Sequence, residues 1–134
     1  MEIKSYTEKG EVLVTVMHID GNIDSSTFME FQNKADELID NGAQFILVDL
    51  AHVPYVSSAG MRALQHIYEK LRALHPASDV SDADVKKGVS AGTYSSPRLK
   101  LLNPTKQAAK TFEMSGFDMY IESFTDKAKA IASF

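Results

Sequence analysis

Apolar and polar positions near the N-terminus follow the short periods of β-strands. Residues 3–7 alternate weakly and end at Lys9 and Gly10, which predicts an edge strand followed by a turn. Residues 12–19 (VLVTVMHI) are apolar on both faces, a pattern typical of a strand in the middle of a covered sheet. Residues 21–24 (GNID) break this strand.

Helical spacing of apolar residues then appears twice. Thr27 and Glu30 have the spacing of a capping box, so we expect a first helix to begin near Ser26 and to end at residues 41–42 (NG). Its apolar stripe consists of Phe28, Phe31, Ala35, Leu38 and Ile39. A short strand is predicted at residues 45–48 (FILV), followed by a connection over residues 49–55 in which Pro54 prevents regular pairing.

The second predicted helix begins at Ser57 and Ser58 and ends at residues 75–76 (HP). Its apolar stripe consists of Met61, Leu64, Ile67, Tyr68, Leu71 and Leu74. Residues 77–96 then lack any clear period and contain five Ser, three Asp and two Gly. Because a connection of this length is uncommon inside a compact domain, we expect a flexible surface insertion there.

The C-terminal part repeats the order of strand and helix. Residues 99–102 predict a third central strand, and residues 103–104 (NP) are expected to cap and open a third helix with Ala108 and Phe112 facing inward. Residues 115–116 (SG) end this helix, and residues 119–121 predict a last short strand. Thr125 is the expected cap of a C-terminal helix that carries Ala128, Ile131 and Ala132.

This element order predicts one α/β domain over residues 1–134. Strands that alternate with helices indicate a mixed, mostly parallel sheet of about five strands with four helices, and the leading hairpin adds an antiparallel edge. The apolar content of 44% is enough to fill one core but would hardly fill two.

Composition excludes several classes of function. The net charge is −4, and the Lys and Arg residues are scattered, so the basic footprint of a nucleic-acid-binding protein is missing. The chain has no cysteine, which excludes disulfides, thiolate metal sites and a thiol nucleophile. The apolar runs are far shorter than the ~20 residues that span a bilayer, and the first residues lack a signal-peptide pattern. We therefore expect a cytoplasmic protein with no nucleic-acid or membrane partner.

Two turns from strand to helix are candidate functional loops, at residues 21–24 and 55–60. Ligands and partners tend to bind where the carboxyl ends of parallel strands lead into helices. Ser57 and Ser58 place two hydroxyls at a helix N-terminus, which is also a favourable place for a phosphate. The small residues Ala59 and Gly60 are expected to keep the surface low, so that another protein can approach. The alternative is that a serine before a helix serves only as its N-cap.

Five segments carry a family resemblance: residues 46–50 (ILVDL), 56–64 (VSSAGMRAL), 21–24 (GNID), 101–104 (LLNP) and 112–117 (FEMSGF). Together they resemble the STAS-domain anti-sigma factor antagonists of bacteria. The resemblance implies a partner-switching protein that regulates transcription. Its unphosphorylated form binds an anti-sigma factor serine kinase and releases the sigma factor, phosphorylation by the kinase ends the complex, and a serine phosphatase restores it.

Carried over residue by residue, the resemblance places the phosphorylated serine at Ser58 and an acidic partner-binding residue at Asp24. The predicted partner-binding residues are Asp24, Ser57, Ser58, Ala59, Gly60 and Met61. Ser57 stands where the family usually has Asp, so it is the second candidate for phosphorylation. Neither a catalytic residue nor a cofactor is implied, and the oligomeric state stays open, with a homodimer as one alternative.

Other kinds of chemistry find little support in the sequence. No G-x-S-x-G elbow, P-loop or G-x-G-x-x-G motif occurs, and the four His residues lack metal-ligand spacing. We expect His18 to be a structural residue of a strand, and His52 to lie on the loop before the second helix. Asp20, Asp24 and Asp49 could gather as in phosphoryl-transfer enzymes, but turn chemistry explains them better. Two rival functions remain: an unphosphorylated STAS scaffold in a signalling or lipid-transport complex, and a nucleotide-binding or small-enzyme domain.

Overall fold

A mixed sheet flanked by helices forms the described part of the protein. In a computed structural model the described residues are 1–75, 88 and 94–134. The strands are Glu2–Lys9 (β1), Leu13–Asp20 (β2), Ile46–His52 (β3), Leu99–Leu102 (β4) and Ser123–Phe124 (β5). The α-helices within these ranges are Phe28–Asp40 (α1), Ser58–Leu74 (α2), Lys106–Ser115 (α3) and Lys127–Ser133 (α4), and a short 3-10 helix spans Phe117–Met119.

The five strands lie side by side in chain order. β1 pairs with β2 in the antiparallel sense, and the other three pairings are parallel. Because parallel strands need long crossover connections, the chain returns through α1, α2 and α3 between successive parallel strands. The predicted α/β class, with a mostly parallel sheet of five strands and four helices, is confirmed for the described residues. None of these helices is long and apolar enough to cross a membrane.

Both faces of the central strands are covered, as the apolar pattern of β2 predicted. The larger core joins one face of the sheet to α1, α2 and α3, and its helix residues include Phe31, Ala35, Ile39, Leu64, Ile67, Ala108 and Phe112. A smaller core on the opposite face joins Val14, Val16, Leu47 and Leu102 to Ala130 and Ile131 of α4. The predicted stripes of α1 and α2 therefore face the core, except that Leu74 is 54% exposed at the end of α2.

The second central strand is longer than predicted. The sequence predicts a connection over residues 49–55, but residues 49–52 continue β3, where Asp49 pairs with His18 and His52 pairs with Asp20. Polar residues are tolerated at this end because their groups find partners: Asp49 Oδ2 and His18 Nδ1 lie 3.0 Å apart. Pro54 follows the strand, as its missing N–H requires.

The prediction of a last strand at residues 119–121 is wrong. Gly116 ends α3 with a left-handed φ of 77°, and the chain then turns through the 3-10 helix, so that Phe117 and Ile121 enter the core. The apolar residues of this segment therefore pack into the core around a turn instead of forming a strand. The strand comes two residues later, where Ser123 and Phe124 pair with Leu101 and Leu102.

Two predicted helix caps are wrong, and a third lacks its predicted hydrogen bond. Thr27 is the N-cap residue of α1, but its Oγ1 accepts from the Asp24 N–H instead of from the helix, so that no capping box forms. Thr105, not residues 103–104, caps α3 by accepting from the Ala108 N–H. Asp126 caps α4 in place of Thr125, and the helix packs on the sheet through Ala130 and Ile131, whereas Ala128 and Ala132 are exposed.

Most of the predicted insertion at residues 77–96 lies outside the described residues. Its last residues are described, and Ser96 is 2% exposed, with its N–H donating to the Tyr120 carbonyl at 2.7 Å. The hydroxyls of Tyr94 and Tyr68 lie 3.0 Å apart. The C-terminal end of the segment is therefore tied to Tyr120 after the 3-10 helix and to α2, while the single-domain organisation with a flexible insertion stays a prediction.

A buried lysine fastens the C-terminal helix to the sheet. Lys100 in β4 is 4% exposed, and its Nζ donates to the Ser133 carbonyl at 2.9 Å and lies 3.6 Å from Glu122 Oε1. The same ammonium group lies over the rings of Phe124 and Phe134 at 5.7 and 5.1 Å. These partners compensate a charge that would otherwise be costly to bury.

We expect Lys100→Ala to lower the free energy of unfolding by about 2–3 kcal/mol, because it removes the hydrogen bonds to α4 and the packing of the lysine stem. Urea unfolding followed by circular dichroism measures the change. Lys129→Ala, at an exposed position of α4, is the control and should change the value by less than about 0.5 kcal/mol. Equal effects of the two substitutions would contradict the role given to Lys100.

Candidate functional site

The two predicted functional loops are joined by backbone hydrogen bonds. The Ile23 N–H donates to the Tyr55 carbonyl at 3.0 Å, and the Ser57 N–H donates to the Ile23 carbonyl at 2.9 Å. Ile23 and Val56 thereby form a parallel bridge beyond the ends of β2 and β3. Both residues are buried, at 0% and 1% exposure. The loop after β2 and the start of α2 are therefore one connected unit.

Helix α3 holds this unit from the other side. Gln107 Oε1 accepts from the Val56 N–H at 2.7 Å, and Gln107 Nε2 donates to the Val56 carbonyl at 3.1 Å. Thr111 Oγ1 donates to the same carbonyl at 3.3 Å. Sequence reasoning missed these two residues, although their i, i+4 spacing on a predicted helix marks a shared face.

The two serines have different environments. Ser57 is the N-cap of α2, and its Oγ accepts from the Gly60 N–H at 3.3 Å. Ser58 is the first residue of the helix and is exposed. Within the described part of the chain, neither the hydroxyl of Ser58 nor the N–H groups of Ser58 and Ala59 have a hydrogen-bond partner, as is usual in the first turn of a helix. The N-cap role foreseen for a serine thus belongs to Ser57.

The residues after Ser58 face inward. Ala59 is 7% exposed and Met61 is 8% exposed, while Gly60 is buried. The small residues Ala59 and Gly60 thus add no bulk beside the exposed Ser58, and the role of Ala59, Gly60 and Met61 in partner binding stays a prediction. A Cβ at Gly60 would lie 2.5 Å from the Ile23 carbonyl oxygen, so glycine is needed for the close approach of α2 to the neighbouring loop.

Asp24 organises its own loop. Its Oδ1 accepts from the Ser26 N–H at 2.9 Å and from the Ser26 hydroxyl at 2.7 Å, and its carbonyl accepts from the Phe28 N–H. The hydrogen bonds from Ser26 and Thr27 lower the pKa of Asp24, because they favour the ionised carboxylate. Asp24 follows Ile23 directly, so it belongs to the unit that carries Ser57 and Ser58. Its role in partner binding stays a prediction.

Of the other two acidic residues at this edge, Asp20 is exposed at the end of β2, and Asp49 is used in local structure. Asp49 pairs with His18, and its Oδ1 accepts from the Ala51 N–H at 3.1 Å. His18 thus has a structural partner, and its ring lies 5.1 Å from that of His52. No group of three His, Cys, Asp or Glu residues that could hold a metal ion occurs in the described ranges. Hydrogen bonds within its own loop therefore account for Asp24, and hydrogen bonds with His18 and Ala51 account for Asp49.

A cavity of about 450 Å³ opens between α2 and α3 beside Ser58. Its lining residues on α2 are Ser58, Met61, Arg62 and Gln65, and those on α3 are Gln107, Thr111, Met114 and Ser115; Tyr55, Val56, Ser57, Phe117 and Tyr120 complete it. Burial, together with nearby Tyr68 and Glu69, raises the pKa of Tyr120 to about 12, so this side chain stays neutral at physiological pH. Sequence reasoning did not single out Arg62, although it lies one turn from Ser58.

We expect Gly60→Ala to destabilise the protein by about 2–3 kcal/mol, because the added methyl group meets the Ile23 backbone. Alanine is otherwise favoured over glycine in a helix by about 1 kcal/mol. Ala73→Gly at an exposed position of α2 calibrates that preference in the same helix, and thermal and urea unfolding measure both variants. A stabilising effect of Gly60→Ala would show that the close approach is not needed.

The lowered pKa of Asp24 predicts a pH-dependent contribution to stability. This contribution is present above the pKa of an unfolded aspartate, about 3.9, and is lost as the pH falls through the lower folded value. Asp24→Asn keeps one oxygen acceptor but removes the charge, so the stability difference from the native chain should shrink as the pH falls from 6 to below 3, as measured by urea unfolding. Asp118→Asn, which changes an exposed carboxylate, should give no such trend.

Comparison with solved structures shows the same fold in three antagonist structures. SpoIIAA, the Bacillus cell fate determinant, is 16% identical in its unphosphorylated form, with 97% of this chain and 94% of that chain covered and a TM-score of 0.62. The phosphorylated form of SpoIIAA is 17% identical, with 96% of this chain and 96% of that chain covered and a TM-score of 0.62. An anti-sigma factor antagonist from Mycobacterium paratuberculosis is 16% identical over 98% of this chain and 94% of that chain, with a TM-score of 0.66.

Sequence comparisons give a family but no individual relative. None of the curated proteins matches the chain. The family model described as STAS domain matches residues 4–75, which is more than half of the 134 residues and includes both loops of the candidate site. The resemblance inferred from residues 21–24 and 56–64 is thereby confirmed. The chain belongs to the STAS domain family.

Proposed function

We propose that this chain is an anti-sigma factor antagonist controlled by phosphorylation of Ser58. Its unphosphorylated form binds an anti-sigma factor serine kinase in the bacterial cytoplasm and frees the sigma factor. Phosphorylation by that kinase ends the complex, and a serine phosphatase restores it. The chain itself acts as a binding module and a kinase substrate, without catalysis of its own.

The difference between Ser57 and Ser58 carries this proposal. The Ser57 hydroxyl is used as the cap of α2, whereas the Ser58 hydroxyl is exposed and has no partner in the described ranges. A kinase needs a hydroxyl that can reach its active site without unfolding the substrate. Ser58 meets this requirement, and Ser57 would have to leave the helix cap at a cost of about 1 kcal/mol.

The solved structures of similar fold support the general role. The solved structures of SpoIIAA describe an anti-sigma factor antagonist in an unphosphorylated and a phosphorylated form. Both are covered almost completely by this chain, although identity is low. Because likeness at this level concerns the fold, the role of this chain depends on its own site.

Local electrostatics favour a switch that needs no refolding. A phosphoserine adds a charge of about −1.5 to −2. At Ser58 this charge would lie at the positive end of α2, beside N–H groups that have no other acceptor among the described residues. The domain can accept the phosphate where it is, whereas a partner packed against Ser58 would meet new bulk and negative charge.

We expect the phosphate on Ser58 when the chain is incubated with ATP and the anti-sigma factor kinase of its own organism, as mapped by mass spectrometry of peptides. Ser58→Ala should abolish the modification and should trap the kinase in a pull-down. Ser57→Ala is the matched control, which should lower stability by about 1 kcal/mol but keep the modification. Phosphate on Ser57 alone would move the acceptor, and phosphate on neither serine would favour the scaffold alternative.

A further inference from the structure

The cavity between α2 and α3 has one wall whose polar groups are already satisfied. The amide of Gln107 bonds both backbone groups of Val56 and also donates to Thr111 Oγ1 at 3.0 Å. Thr111 in turn donates to Val56, and the Ser115 hydroxyl donates to the Phe112 carbonyl at 3.0 Å. These groups hold the wall in place and offer little further hydrogen bonding to a ligand.

The opposite wall carries a positive charge without a counterion. Of the described residues that line the cavity, Arg62 is the one charged residue, and no carboxylate lines it. The guanidinium group of Arg62 has neither an ion pair nor a hydrogen bond within the described ranges, and Gln65, one turn further along α2, likewise has no partner there. Five N–H donors in a planar fork are suited to a carboxylate or a phosphate.

The remainder of the lining is largely apolar. Met61 and Phe117 are almost fully buried beneath the cavity, at 8% and 1% exposure, and Met114 is 79% exposed at its mouth. Methionine side chains adapt to ligands of irregular shape. A volume of about 450 Å³ lies within the usual range of small-molecule sites.

We infer that this cavity binds a small amphipathic carboxylate. The carboxylate pairs with Arg62, and the apolar body lies against Met61, Met114 and Phe117. Arg62 is exposed, and a neutral apolar ligand of the same size would not form the charge-assisted hydrogen bonds that its guanidinium group offers. A cationic ligand would be repelled. The inference does not rest on phosphorylation of Ser58.

Binding is tested with three probes of one chain length on the unmodified full chain: decanoate, decanol and decyltrimethylammonium, each below its micelle concentration. Titrations followed by calorimetry and by amide chemical shifts should give saturable binding of decanoate, with shifts at residues 55–65 and 107–120. Decanol should bind about tenfold more weakly, and the cation weaker still, because each lacks the charge-assisted hydrogen bonds.

Two matched pairs of variants locate the site. Arg62→Gln should weaken decanoate binding about fivefold to tenfold and remove the preference over decanol. Lys106→Gln, which removes an exposed cation that does not line the cavity, should leave it unchanged. Met114→Gln should weaken both probes, whereas Met119→Gln, at a methionine that is 54% exposed outside the lining, should weaken neither.

Three results would overturn the inference. The first is no saturable binding of decanoate at millimolar concentration. The second is equal binding of decanoate and decanol together with no effect of Arg62→Gln, which would leave an unselective apolar groove, such as one that receives a segment of a protein partner. The third is binding with shifts away from α2 and α3. In each case phosphorylation of Ser58 is measured separately, so the failure of this inference and the failure of the proposed function are distinguishable.

Discussion

The backbone of Ile23 is the constraint on which the candidate site depends. Its N–H and carbonyl groups both bond the segment that opens α2, and its carbonyl oxygen lies 2.5 Å from the position that a Cβ of residue 60 would take. The hydrogen bonds draw the two loops together, and the absence of a side chain at Gly60 lets the helix come this close. Without either feature, the N-terminus of α2 would have to move away from the loop that carries Asp24. The exposed position of Ser58 is therefore a consequence of buried contacts on the other side of the same helical turn.

Much of the fold could be predicted from the sequence because the apolar residues of its long helices and strands recur at regular spacings. The stripes of α1 and α2 and the doubly buried β2 have a single favourable placement, in the core. Errors occur where a short segment allows more than one solution. Asn103 and Thr125 are each acceptable caps, but the helices are capped by Thr105 and Asp126 instead. Contacts distant in sequence contribute to this choice, since Thr105 also donates to the Val53 carbonyl. Residues 119–121 look like a strand, but the left-handed turn at Gly116 precedes them and sends Phe117 into the core.

The candidate site could be predicted only in part, because several of its contacts depend on residues that are distant in sequence. The string SSAG marked the start of α2 and the two hydroxyls, yet which serine serves as the cap depends on where the helix begins. The contributions of Gln107 and Thr111 to Val56 join residues more than fifty positions apart. The i, i+4 spacing of Gln107 and Thr111 marks one face of α3, but it does not indicate that this face contacts the loop before Ser57. Arg62 differs, because its place one turn after Ser58 follows directly from helical geometry.

The proposed phosphate on Ser58 and the proposed binding site for a carboxylate at Arg62 lie close together on helix α2. Ser58 and Arg62 are four residues apart on the same face and line the same cavity. A dianionic phosphate on Ser58 and a carboxylate in the cavity would therefore compete for one guanidinium group, and repulsion between the two anions would add to the competition. By reciprocity, a ligand that binds the unmodified form better must also oppose phosphorylation to the same extent in free energy. Under both proposals, a small carboxylate bound in the cavity would influence the phosphorylation of Ser58 directly, with no change of fold between the two sites.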